Sequence, residues 1–112
     1  EVDLRVFNDE FWLGHDEPQY KIDLSWMCLR KNNLWFHCKD IESALTLVKT
    51  NEDFNYFCHS SEPYVCTSNK YLWIHDLTKK LNDKCIIPLL SKEDIENYDN
   101  RNICTDFVNL IK

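Results

Sequence analysis

Apolar and polar positions alternate at the start of the chain and fall into helical spacing only later. Residues 2 to 7 (Val2-Asp3-Leu4-Arg5-Val6-Phe7) alternate apolar and polar, which predicts a strand with one buried face. Phe11, Trp12 and Leu13 form a short apolar run that ends in the polar loop Gly14 to Pro18. Alternation resumes from Tyr20 through Ile22 and Leu24 into Trp26 to Leu29, then stops at the polar turn Arg30 to Asn33. Leu34-Trp35-Phe36-His37 continues as a strand, so residues 20 to 37 read as a hairpin. Asp40 follows, and Ile41, Ala44, Leu45 and Val48 recur at helical spacing. Asp is a strong N-cap, so a helix is predicted to open at Asp40.

In the second half, Phe54, Phe57 and Cys58 have helix-like spacing, while Tyr64 to Thr67 and Tyr71 to His75 read as strands. Asp76 repeats the capping position of Asp40, with Leu77 and Leu81 four apart behind it. The apolar run Cys85 to Leu90, interrupted by Pro88, fits either a strand or a buried loop. Ser91 with Asp94 opens a short helix that carries Ile95 and Tyr98 on one face. Ile103, Phe107, Leu110 and Ile111 predict a closing helix over residues 102–112. Together these elements predict an α+β fold, a small single domain (1–112) of antiparallel hairpin strands packed with several short helices. A local solution recurs in it, an aromatic strand (Leu34 to His37, Leu72 to His75) delivering the chain to an Asp.

Composition narrows the function classes. A length of 112 residues suits one domain, and 44% apolar residues exclude disorder of the whole chain. No run approaches the roughly 20 apolar residues of a membrane span, so no membrane partner is expected. The formal net charge of −6 argues against non-specific binding to a polyanion. With Gly14 as the single glycine, Gly-rich phosphate loops are excluded, and so are the nucleotide enzymes that need them. Asn-Gly and Asp-Gly are absent, so the turns must rely on Asn, Asp and Pro. The chain begins at Glu1 and reads as a piece processed or excised from something longer.

Candidate chemistry comes from six Cys (28, 38, 58, 66, 85, 104) and four His. His37, Cys38, Cys58, His59, Cys66, His75 and Cys85 offer zinc-ligand types, but no Cys-x-x-Cys knuckle occurs among them. Adjacent His-Cys residues point to opposite faces of a strand, so core thiols and no metal are expected. A Cys–His nucleophilic pair has no surrounding signature, and Asp16-Glu17, Glu52-Asp53 and Glu93-Asp94 read as solvated surface. No catalytic residue, no cofactor and no enzyme activity are expected. Thiols suit an intracellular chain, and a secreted chain stapled by three disulfides is the alternative.

The segment Asn33-Leu34-Trp35-Phe36-His37-Cys38-Lys39-Asp40-Ile41-Glu42-Ser43-Ala44-Leu45 resembles the core of Bro-N domains of baculovirus repeated-ORF proteins and phage antirepressors. That family reads Trp-Phe, two small residues, Lys-Asp, an aliphatic, then Ala-Leu. Trp35, Phe36, Lys39, Asp40, Ile41, Ala44 and Leu45 match it. The likeness extends more loosely over residues 20 to 82, where His75-Asp76 stands in place of the family's Asn-Glu. The family's basic stretch after the second helix is replaced by Cys85 to Leu90 and Glu93-Asp94. The resemblance implies a small viral or mobile-element module, in host nucleus or virion, that regulates, assembles or binds nucleic acid.

Four Trp exceed what a domain this small buries easily, so an aromatic interface is expected at Trp12 with Phe11. Lys79, Lys80 and Asn82 are the nucleic-acid contacts if the predicted second helix lies along DNA. The acidic balance places protein association first, with a second copy of the chain as one partner. Nucleic-acid binding comes second, and a secreted stapled effector third.

Overall fold

The computed structural model describes residues 1–75, 81–96 and 102–110, and its contacts gather into two compact units. The first comprises residues 1–61 and 67–69, the second residues 62–66 and 70–112. The fold is α+β, and the sheet of each unit mixes antiparallel and parallel pairs.

In the first unit, β1 (Val2–Phe7) turns into β2 (Glu10–Leu13) through Asn8 and Asp9, whose φ angles are 51° and 60°. Two successive left-handed residues define a two-residue type I′ loop, and Asn and Asp tolerate that region best after glycine. β3 (Tyr20–Ile22) joins β2 antiparallel. β4 (Trp35–Cys38) and β5 (Asn55–Cys58) extend the sheet in parallel on the other side, giving the order β3-β2-β1-β4-β5. Two helices, α1 (Leu24–Arg30) and α2 (Ile41–Lys49), cover one sheet face. Leu4 and Phe36 of the sheet pack there with Met27 of α1 and Leu47 of α2, and all but Leu47 are wholly buried.

Residues 20 to 37 are not a hairpin. The Asp23 carboxylate accepts the Trp26 amide at 2.8 Å and caps α1, which draws Trp26 to Leu29 into a helix. A continuous apolar run carries no period of its own, so the cap decides. β4 then pairs with β1, not with β3. Around Phe54 the expected helical segment is strand β5, because the open edge of β4 offers it a parallel ladder. The helix at Asp40 stands as expected, but with a different face inward. Ser43 and Leu47 are buried, whereas Ile41, Leu45 and Val48 look outward.

The second unit holds β6 (Tyr64–Cys66), β7 (Leu72–Ile74), β8 (Cys85–Pro88) and β9 (Asn102–Cys104) in that order. β6 and β7 are antiparallel, and the remaining pairs are parallel. A short helix, α3 (Lys92–Glu96), lies between β8 and β9 in sequence, with the Asp94 amide donating to Ser91 Oγ at 3.2 Å. Ile74, Cys85, Ile87, Leu89 and Ile95 form its core. The expected closing helix is replaced by β9 and a 3₁₀ turn at Val108–Leu110, because Asn102 to Cys104 take up the edge of β8. Asp76, Leu77, Lys79, Lys80, Tyr98 and Ile111 lie outside the described residues.

Candidate functional site

Strand alternation places Glu1, Asp3 and Arg5 of the β1 segment on the sheet face opposite the helices. The parallel register sets Asp3 beside His37 of β4, and the antiparallel register sets Arg5 beside Trp12 of β2. His37 Nδ1 lies 3.3 Å from Asp3 Oδ1 and 4.0 Å from Glu1 Oε1. On the other side of the ring, His37 Nε2 meets the His59 carbonyl at 3.0 Å, and the ring stacks on Phe57. His15, carried back by the loop after β2, places Nδ1 2.9 Å from Asp3 Oδ2. Arg5 fixes that loop by donating from Nε to the Gly14 carbonyl at 2.9 Å and from a terminal nitrogen to His15 O at 2.6 Å.

The cluster is sheltered, with side-chain exposures of 21% for Glu1 and 14% for His37. Burial, reinforced by hydrogen bonding to Asp3 and its negative charge, pushes the Glu1 carboxyl up to about 7. Burial also opposes ionisation of Asp3. Hydrogen bonds from Glu1 and His15, with the fields of His37 and Lys39, outweigh it and hold Asp3 below its ordinary value. Burial lowers His37 below the usual imidazole value, against the raising influence of the His59 carbonyl. Glu1, Asp3 and His37 thus bring three metal-ligating atoms within 4.8 Å of one another.

Phe11, Trp12, Asp40 and Asn82, singled out in the sequence, lie outside this cluster. Phe11 is half-buried and packs against the core of the first unit. Trp12 is half-buried, and its indole Nε1 is buried without a hydrogen-bond partner. Asp40 caps α2 through a 2.8 Å bond from the Ser43 amide. Asn82 is exposed, but its side-chain oxygen accepts the Lys84 amide at 2.9 Å and so serves its own turn. All six cysteines carry thiols, and they are spread over both units. Of the zinc-ligand types considered, only His37 enters the metal-capable group.

The sequence reading missed Glu1 and Asp3. Their signal lies in the polar positions of the first alternating segment, away from any thiol–imidazole spacing. A second feature stands out at the surface. Ile41, Leu45 and Val48 are 68%, 52% and 66% exposed along one side of α2. Compared with protein-family models, with curated proteins and with solved structures, the chain matches none.

Proposed function

We propose that this protein works by non-catalytic association, pairing with a second copy of itself through the outer side of α2. The observation that carries this reading is the apolar stripe of Ile41, Leu45 and Val48 at i, i+4 and i+7. Three large aliphatic side chains in line on one helix are more than scattered surface apolarity. The charges beside the stripe favour self-pairing over a foreign partner. Glu42 near the start of α2 and Lys49 at its end flank the same side of the stripe, and both are exposed. In an antiparallel helix pair equivalent flanks face one another, so Glu42 of each copy meets Lys49 of the other.

Helix α2 is nine residues long, or about 13 Å. Such a contact lies at the small end of specific interfaces, so the dimer is weak and concentration-dependent. The Bro-N resemblance of residues 33 to 45 supports a regulatory or assembly setting for it. Sedimentation analysis over a wide concentration range tests the proposal. The wild type should pass from monomer to dimer in the micromolar to millimolar range. Leu45→Asp should stay monomeric with an unchanged circular dichroism spectrum. A wild type that remains monomeric throughout, or a Leu45→Asp protein that dimerises as well, would overturn it.

A further inference from the structure

His37 Nε2 faces a backbone carbonyl, the His59 oxygen at 3.0 Å, and a carbonyl can only accept. Nε2 therefore carries a proton, and in its neutral form the imidazole directs the Nδ1 lone pair towards the carboxylates of Asp3 and Glu1. One ligand atom each from Glu1, Asp3 and His37 converges there, Glu1 and Asp3 being two positions apart along the β1 segment. The arrangement calls for a positive centre. A shared proton supplies one charge, and a divalent ion supplies two. We propose that Glu1, Asp3 and His37 form a binding site for one divalent transition-metal ion of the zinc type.

The spacing fits a common ion. Ligand atoms about 2.0–2.2 Å from a tetrahedral zinc stand roughly 3.4 Å apart. The His37–Asp3 separation of 3.3 Å is already at that value, the 4.0 Å from His37 to Glu1 exceeds it, and all three ligand atoms lie within 4.8 Å of one another. The donor set of one imidazole and two carboxylates suits zinc, cobalt or manganese better than calcium, which takes oxygen ligands alone. Neighbouring groups hold the donors as they do in known metal sites. The His59 carbonyl orients the imidazole, Phe57 stacks beneath it, and His15 Nδ1 contacts the second Asp3 oxygen at 2.9 Å. Three protein ligands leave one position for solvent. Positions 1, 3 and 37 lie on the sheet face opposite α2, so the site is independent of the association surface.

The test is zinc titration of the whole chain by calorimetry, repeated with Co²⁺ for its visible absorption. One ion per chain is expected, with d–d bands of tetrahedral intensity, and a melting temperature that rises with metal concentration. Glu1→Gln keeps shape and should weaken binding at least tenfold, as should Asp3→Asn. His37→Ala should remove it. Cys58→Ser and Cys66→Ser, which change exposed thiols, should bind as the wild type does. Binding unaffected by Glu1→Gln and Asp3→Asn, binding lost with the thiols, or no saturable binding would each overturn the site. Should His37→Ala fail to fold, the two carboxylate variants decide alone.

Discussion

The Asp40 carboxylate serves Val6 as well as its own helix. Its Oδ1 accepts the Ser43 amide at 2.8 Å, while Oδ2 lies 3.2 Å from the Val6 amide on β1. The parallel ladder between β1 and β4 runs from Val2↔Phe36 to Leu4↔Cys38, and the Lys39 amide then donates to the Leu4 carbonyl. Beyond that point the Asp40 side chain takes over from the departing backbone. One carboxylate thus fixes both where the strand ends and where α2 begins. Asp40→Ala should lower stability by about 1–3 kcal/mol, since it strips a cap and leaves a half-buried amide without an acceptor. Asp40→Asn keeps an oxygen for one of the two donors and should cost less. Urea denaturation of the three proteins checks the order, and a loss for Asp40→Ala of under about 0.5 kcal/mol would contradict the double role.

Gly14 owes its place to a close approach. It is buried, its amide donates to the Asp3 carbonyl at 3.0 Å, and a Cβ built on it would collide with the Glu17 carbonyl. Backbone on the far side of a tight loop cannot yield as a flexible side chain can. Gly14→Ala should therefore destabilise by about 1–3 kcal/mol, in the range of overpacked sites. The same change should shift the His15 ring from Asp3, seen as altered His15 resonances in NMR spectra. Unchanged resonances together with unchanged stability would show that the loop relaxes freely.

Local signals were readable in the sequence, and pairings between distant segments were not. The Asp40 cap and the Ser91–Asp94 helix start depend on residues three apart, and both stand in the structure. Strands β5 and β9 depend on which neighbouring strand offers an edge, and helix-like spacing of a few apolar residues could not reveal that. The Asn8-Asp9 turn was hidden because its left-handed residues lack the usual glycine. For the cluster, Glu1 and Asp3 share a visible period of two, but His37 joins them only through the parallel register of β1 with β4. The stripe on α2 was half legible. Ile41, Ala44, Leu45 and Val48 gave the helix its period, yet the inward side is set by Ser43 and Leu47.

Thiol reactivity should divide by location. Cys58 and Cys66 are exposed, whereas Cys38 and Cys85 are buried. Burial, with the nearby Cys58 thiol acting the same way, pushes Cys38 from an ordinary 9.0 up to about 12. An aromatic disulfide reagent at neutral pH should modify Cys58 and Cys66 first, and reach Cys38 only when the fold opens. The shift also sets a pH dependence. A thiol with a raised folded-state value contributes stability fully below its unfolded value and loses it as pH rises towards the folded one. The window here runs from about 9 to about 12. Denaturation midpoints should fall less for Cys38→Ala than for the wild type on going from neutral pH into that window. An equal fall in both proteins would remove Cys38 as a source of alkaline sensitivity.

Charge reversal on α2 separates an antiparallel self-pair from other uses of the same apolar stripe. Glu42→Lys alone would set the new lysine against Lys49 of the other copy, and Lys49→Glu alone would oppose two acids. By symmetry each single change acts twice in the dimer. Exposed ion pairs are worth roughly 0.2–1 kcal/mol each, so either change should weaken dimerisation by between about twofold and thirtyfold. The double reversal restores opposite charges at both contacts and should recover the wild-type dissociation constant. The gain should shrink at high salt, because these charges lie at the rim in water. A parallel pair places different flanks together and predicts no rescue. A foreign partner predicts no effect of any of these changes on self-association. Sedimentation of the four proteins at two salt concentrations distinguishes the cases, and failure of the double variant to recover would rule out the antiparallel arrangement.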